Sequence, residues 1–243
     1  MPIKTCFVSV DIERDLGGNS FRGVESLDKI LSIFEKYGVS ATLFVTGEAL
    51  RQYPERFQQL ASSYEIACHG FTHRFWNTLN NQERQKELDD FINLYQQVFK
   101  QAPKGFRAPS HVIDEPGIEL LDERGFLYDS SIVPHYPPFK KYRGYKGRAP
   151  LSPYRFEGMN ILEIPVRGQL LGIPLAGAWI RGLPVWIYRA LFLISRPGFI
   201  TLNMHSWDIF DPSFLKKLPL IIEILKNNQY QFSNGAKISE NRR

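Results

Sequence analysis

His69 and His73, four positions apart, and the acidic pair in Asp11-Ile12-Glu13 are the residues whose types and spacing can do chemistry. Two imidazoles at that spacing share one face of a helical turn, so both can grip one metal ion. The two carboxylates follow the apolar run Cys6-Phe7-Val8-Ser9-Val10. They can complete a metal site and still leave one oxygen free as a base. The pattern reads as metal-assisted hydrolysis.

The elements that must position these groups follow from periodicity. Residues 5–10 read as a buried strand ending at Asp11, and residues 14–22, with two glycines, as a loop. Val24, Leu27, Ile30, Leu31 and Phe34 recur at helical spacing over residues 23–37, and Gly38 ends that helix. Further strands are expected at 40–45, at 64–68 delivering His69, at 105–109 around Arg107, at 126–128 leading to Asp129, at 160–166 and at 198–204 ending at His205. Helices are expected at 50–62, 81–100, 116–124, 184–194 and 212–227, with a long loop at 134–158. Strands alternating with helices at this spacing imply a mostly parallel sheet. Asp11, Glu13, His69, Arg107, Asp129 and His205 then all lie just past the C-terminal end of a strand, where α/β barrels carry their active sites.

At 243 residues, with 43% apolar content, the chain 1–243 is expected to form one catalytic domain with a full core. Most of the 18 phenylalanines belong to that core. The net charge of +5 favours anionic partners such as a membrane surface, a phosphorylated carrier or an acidic polymer. The charge is spread rather than clustered, so no nucleic-acid role is expected. Cys6 and Cys68 sit beside apolar runs and read as buried thiols rather than a disulfide framework. Met1-Pro2-Ile3-Lys4 leads straight into a strand pattern without a leader-like stretch, so the cytoplasm, with the inner face of the membrane as a variant, is the expected compartment. Residues 169–194 are strongly apolar, but Gly172, Pro174, Gly182 and Pro184 interrupt them and Arg181 and Arg189 charge them. A loop and a core helix are expected there, not a membrane span, with a membrane-facing surface as the alternative.

The chain resembles the polysaccharide deacetylase (NodB-homology) family of metal-dependent carbohydrate esterases over nearly its whole length. Ser9-Val10-Asp11-Ile12-Glu13 resembles that family's acidic motif, and His69-Gly70-Phe71-Thr72-His73 its histidine motif. Arg107-Ala108-Pro109-Ser110 resembles its Arg-x-Pro motif, Tyr128-Asp129-Ser130-Ser131 a strand end that often follows, and Leu202-Asn203-Met204-His205 its closing motif. Three features depart from the pattern. The acids are spaced where adjacent Asp-Asp is commonest, Gly70 stands where Ser or Thr is common, and the acid that supports the final histidine is not evident. Ala178-Trp179 is its nearest relic, with Asp208 or Asp129 as substitutes for the missing acid.

The resemblance implies a distorted (β/α) barrel of mostly parallel strands in the α/β class. It implies Glu13, His69 and His73 as ligands of a divalent metal, with Zn²⁺ as the default and Co²⁺, Ni²⁺ or Mn²⁺ as alternatives. It implies Asp11 as general base, Arg107 as its partner and His205 as general acid. The residues alone leave the reverse assignment of Asp11 and Glu13 open. The implied reaction removes an N-acyl group, acetyl or formyl, from an amino sugar in a polysaccharide or a lipid-linked glycan. A small non-sugar amide, a non-catalytic glycan-binding homologue and an Fe(II) oxygenase are the competing readings.

Trp76, Tyr136, Phe139, Tyr142, Tyr145 and Trp207 are candidate sugar-site walls. Lys140, Lys141, Arg143, Lys146 and Arg148 read first as a solvated loop, and second as a contact for an anionic glycan or a lipid diphosphate carrier. Peripheral membrane contact is a separate expectation for the chain. The sequence does not specify the oligomeric state.

Overall fold

The computed structural model describes residues 3–134, 144–145, 147–166, 168 and 172–242. Its strands are β1 (Lys4–Ile12), β2 (Thr42–Val45), β3 (Glu65–Cys68), β4 (Gly105–Phe106), β5 (Tyr128–Asp129), β6 (Tyr154–Arg155), β7 (Leu162–Glu163), β8 (Leu175–Ala176), β9 (Phe199–His205) and β10 (Tyr230–Ser233). They form one sheet in the order β6-β7-β5-β4-β3-β2-β1-β9-β8, with β10 added to β1. The β6–β7 pairing is antiparallel, and the other pairings among the described residues are parallel. The expected distorted (β/α) barrel is therefore what forms. One edge of β1 is shared: Lys4 to Phe7 pair with β10, and Ser9 to Ile12 pair with β2.

The helices are α1 (Arg22–Glu25), α2 (Asp28–Tyr37), α3 (Gly47–Gln52), α4 (Pro54–Leu60), α5 (Asn81–Phe99), α6 (Glu115–Glu123), α7 (Gly177–Gly182), α8 (Val185–Ile194), α9 (Pro212–Asn227) and α10 (Gly235–Glu240). Strand alternation separates two faces. Cys6, Val8, Val10 and Ile12 join the large core beneath the helices. Phe7 joins a second cluster with Phe44, Tyr128, Leu162 and Phe199 on the concave side, and Ile238 of α10 packs into it. Ser9 and Asp11 lie on that same concave face, above the phenylalanine floor.

Several elements differ from the periodicity reading. The helix expected at 23–37 is two, α1 and α2. That expected at 50–62 is also two, because Pro54 pushes Tyr53 out of helical geometry to φ −131, ψ 51. The strands expected at 105–109, 126–128 and 160–166 shorten to two residues each, the second shifted to Tyr128–Asp129. The structure adds β6, β8, α7, β10 and α10. Cys6 and Cys68 are buried free thiols, as expected. No helix among the described residues is long and apolar enough to cross a membrane.

Candidate active site

The site lies where β1, β3, β4 and β9 end. In β1 the register sets Asp11 beside His205 of β9. Residues two apart on an extended chain share a face, so Asp-x-Glu keeps both carboxylates on the concave side without a turn between them.

His69 leaves β3 with its Nδ1 2.8 Å from the carbonyl oxygen of Arg107. That contact makes Nδ1 the protonated donor and leaves Nε2 as a lone-pair ligand. Glu13 Oε2 lies 3.6 Å from His69 Nε2 and in direct contact with His73 Nε2. The three ligand atoms lie within 4.8 Å of one another. Two imidazole nitrogens and one carboxylate oxygen, with one imidazole held by a backbone carbonyl, suit a borderline-soft divalent cation and leave its other positions open.

The histidines do not share a helical turn, contrary to the spacing argument. Residues 69–73 form an irregular loop in which Gly70 has φ +72 and His73 φ +59. The first value explains Gly70 in place of Ser or Thr, since glycine adopts the left-handed region without cost. Glu87 of α5 holds the loop: its Oε2 accepts from the backbone N–H of Phe71 and Thr72 at 2.8 and 2.9 Å, and its Oε1 from the Thr72 hydroxyl at 2.6 Å. Tertiary hydrogen bonds, not helix geometry, bring the two rings to a centroid separation of 5.1 Å.

Arg107 is fully buried and donates to Asp11 Oδ1 at 2.8 Å and to the Ser9 hydroxyl at 2.7 Å. Its other nitrogens donate to the Ser130 carbonyl and hydroxyl, both at 2.9 Å. Its guanidinium carbon sits 4.2 Å above the Phe44 ring centroid. Burial raises the Asp11 carboxyl, but Arg107 and the surrounding imidazoles outweigh it and hold Asp11 below its ordinary value of 3.8.

His205 stacks on Trp207 with ring centroids 4.2 Å apart, and its Nε2 lies 4.0 Å from Glu13 Oε1. The Trp207 indole donates to the same Glu13 oxygen at 3.1 Å. Asp208 supplies the acid that the motif series lacked. Its Oδ2 accepts from the His205 backbone N–H at 2.8 Å and lies 3.5 Å from Nδ1. Its Oδ1 is gripped by Arg181 of α7 at 2.6 Å. Gly177 makes room for it, since a Cβ there would fall 1.8 Å from Asp208 Oδ2. Burial lowers the His205 pKa, but the bond to Asp208 and the charges of Asp11 and Glu13 outweigh it and raise the ring above 6.5.

Asp129 is not beside His205. It is buried beside Glu163, its neighbour across β5 and β7, and burial raises both carboxyls, that of Glu163 well above its ordinary range. Ser131 links this pair to the Arg107 loop by donating to Asp129 and accepting from the Ala108 N–H. Trp76 is a buried core residue packed on Phe106, not a pocket wall. Tyr145 packs half-buried against Phe156, and Arg148 is exposed. Tyr136, Phe139, Lys140, Lys141, Tyr142, Arg143 and Lys146 lie outside the described residues. The sequence reading missed Glu87 and Arg181, which act from helices remote in sequence. It also missed His111, whose ring burial and Arg107 push down to about 3.

A polysaccharide deacetylase family model matches residues 15–128. The chain is 34% identical over 124 residues to the peptidoglycan deacetylase-like protein FGM2 of Gibberella zeae, covering 50% of this chain and 37% of that one. It is 26% identical over 124 residues to the peptidoglycan deacetylase of Helicobacter pylori, covering 51% of this chain and 42% of that one. The chain thus spans less than half the length of these relatives. Its fold is similar to that of PuuE allantoinase, with a TM-score of 0.73 at 16% identity, covering 97% of this chain and 89% of that one. The sequence match over residues 15–128, the motif residues gathered at one strand-end site and the fold agree in one likeness: the chain is similar to the polysaccharide deacetylases.

Proposed function

We propose that the protein is a metal-dependent hydrolase that removes an N-acyl group, acetyl in the first instance, from an amino sugar of a glycan, polymeric or lipid-linked. The observation that carries this reading is the meeting of Glu13, His69 and His73 within 4.8 Å beside an arginine-held Asp11 and an aspartate-held His205. The likeness to peptidoglycan deacetylases supports an N-acetylated glycan as substrate.

Glu13 Oε2 and the Nε2 atoms of His69 and His73 would hold the cation. When bound, the cation would polarise the amide carbonyl and acidify a water, with Zn²⁺ the default identity on its donor preferences. Asp11 takes the proton of the attacking water. Its pairing with Arg107 engages Oδ1 and keeps it ionised, leaving Oδ2 for that proton. His205, raised above its ordinary pKa, is protonated when the C–N bond breaks and gives its Nε2 proton to the departing amine. Asp208 Oδ2 anchors the His205 backbone N–H and faces the ring's Nδ1 at 3.5 Å, and Trp207 flanks the ring. Acetate and a primary amine leave. Asp208 beside His205 weighs against the binding-only homologue, a reading that the acid not evident in the motif series would favour.

Release of amine and acetate from N-acetylglucosamine oligomers tests the reading, using metal-loaded wild type beside His69→Ala and Asp11→Asn. Release by wild type alone is expected. Equal release by all three proteins, or none from either soluble or lipid-linked amino sugars, overturns it. The likeness to an allantoinase favours a small cyclic or linear amide as the second substrate class to assay.

A further inference from the structure

We propose that the exposed face of α8 docks on an anionic lipid bilayer, lying in the headgroup interface rather than crossing it. α8 buries Tyr188, Leu191 and Phe192 against the domain. Its opposite side leaves Trp186 67%, Leu193 77% and Ile194 74% exposed. Trp186 and Leu193 are two turns apart on one stripe, with Ile194 beside them. A soluble domain gains nothing from three large apolar side chains so exposed on one short helix.

The occupant is read from the charges around the stripe. Arg189 stands one turn from both Trp186 and Leu193, and Arg196 follows the helix end. Between Glu163 and Asp208 the sequence holds no aspartate or glutamate. On neighbouring α9, Glu223 shares the groove with Arg189 and accepts from the Tyr37 hydroxyl at 2.8 Å, while the partly exposed Leu220 extends the apolar surface. An apolar stripe flanked by arginines, with a tryptophan at one end, fits acyl chains below anionic headgroups. A symmetric pairing of two copies about this stripe would set the arginine-edged patch against its own image.

The placement also bears on the site. Only Leu183 and Pro184 separate α8 from α7, whose Arg181 grips Asp208. Trp186 lies at the end of the stripe next to α7, whereas Leu193 and Arg196 lead into the start of β9, the end opposite His205, so docking would lay the barrel along the bilayer with the site at one end, within reach of a lipid-linked glycan if the proposed reaction is correct. Membrane binding itself does not depend on that reading.

The test is sedimentation of the full chain with vesicles of phosphatidylcholine alone and with about one third phosphatidylglycerol at low salt. Binding to the anionic vesicles only is expected, with Trp186 emission quenched by brominated acyl chains. Trp186→Phe should keep binding and lose that quenching. Leu193→Ser with Ile194→Ser, and separately Arg189→Glu with Arg196→Glu, should each weaken binding about tenfold or more. Thermal unfolding and amine release from soluble oligomers should stay as in wild type, so a failure of the catalytic reading leaves the vesicle result intact. Absence of binding to anionic vesicles overturns the proposal, as does binding that both double variants retain. A dimer in sedimentation velocity that the same variants dissociate also overturns it, because a second copy would then occupy the face.

Discussion

Arg107→Met is the perturbation whose cost the structure defines best. Arg107 and Asp11 form an ion pair with side chains 0% and 3% exposed and an N–O distance of 2.8 Å. The substitution removes that pair and the donors to Ser9 and Ser130, and strands a carboxylate beneath the site. Breaking a buried pair from one side costs about 3–5 kcal/mol. For a chain of this size that lowers the melting temperature by about 6–20 °C. Removing both charges with Asp11→Asn in the same chain leaves no buried ion, so a coupling of about 2–3 kcal/mol should appear in the double-mutant cycle.

The pH dependence follows from the signs. In wild type Asp11 lies below 3.8, so its contribution is complete above that value and is lost as pH falls through its lower folded value. Without Arg107 the burial effect dominates and pushes Asp11 up, so the folded variant takes up a proton before the unfolded chain does. The variant's deficit should therefore shrink as pH falls from about 7 to about 5. Urea unfolding of the four proteins at both pH values is the assay. A deficit under about 1 kcal/mol, additivity within about 0.5 kcal/mol, or a deficit unchanged with pH would refute the reasoning.

Saturating Zn²⁺ should stabilise wild type by about 4 kcal/mol at a thousandfold excess over Kd. Glu13→Ala and His69→Ala should abolish that gain in scanning fluorimetry. Glu87→Gln, which weakens the grip on the 69–73 loop while touching no ligand, should lower metal affinity about 10- to 100-fold by competition titration. Asp208→Asn removes the charge that raises His205, so the basic limb of the kcat/KM profile should move to lower pH; an unmoved limb would mean another group is the acid. Gly177→Ala, which drives a methyl into Asp208, should cost about 1–3 kcal/mol in urea and lower activity, and a neutral effect on both would contradict the packing described.

The motif residues were legible because each ends a strand whose apolar run is long enough to read. β1 and β9, of nine and seven residues, stand out by composition, and with them Asp11, Glu13 and His205. β4 and β5 have two residues each, too few to show a period, so their ends were misjudged even though Arg107 was found by its motif. The geometry of His69 and His73 was not legible as a helix because hydrogen bonds from Glu87, in a different element, set the backbone between them. Asp208 and Asp129 were equal candidates in the sequence. Only the register of β9 against β1, and the pairing of β5 with β7 that commits Asp129 to Glu163, separates them. For α8 the apolar content was visible, but which side chains face outward depends on where α9 lies.

The double neighbour of β1 has a consequence for synthesis. The strand that carries Asp11 is translated before the other elements of the domain, yet Lys4 pairs with Tyr230, and β9, which flanks β1 over Thr5 to Asp11, follows almost all of them. A ribosome-bound chain that has emerged as far as α6 can pair β1 with β2 along only part of one edge. The opposite edge and the β10 segment stay as open hydrogen-bonding templates until the last elements arrive. Nascent chains stalled before β9 should therefore be protease-sensitive in their first strand and recruit chaperones there. Asp11, the proposed base, would be among the last groups of the domain to be locked in place, so under the proposed function hydrolytic competence and completion of the fold should be acquired together.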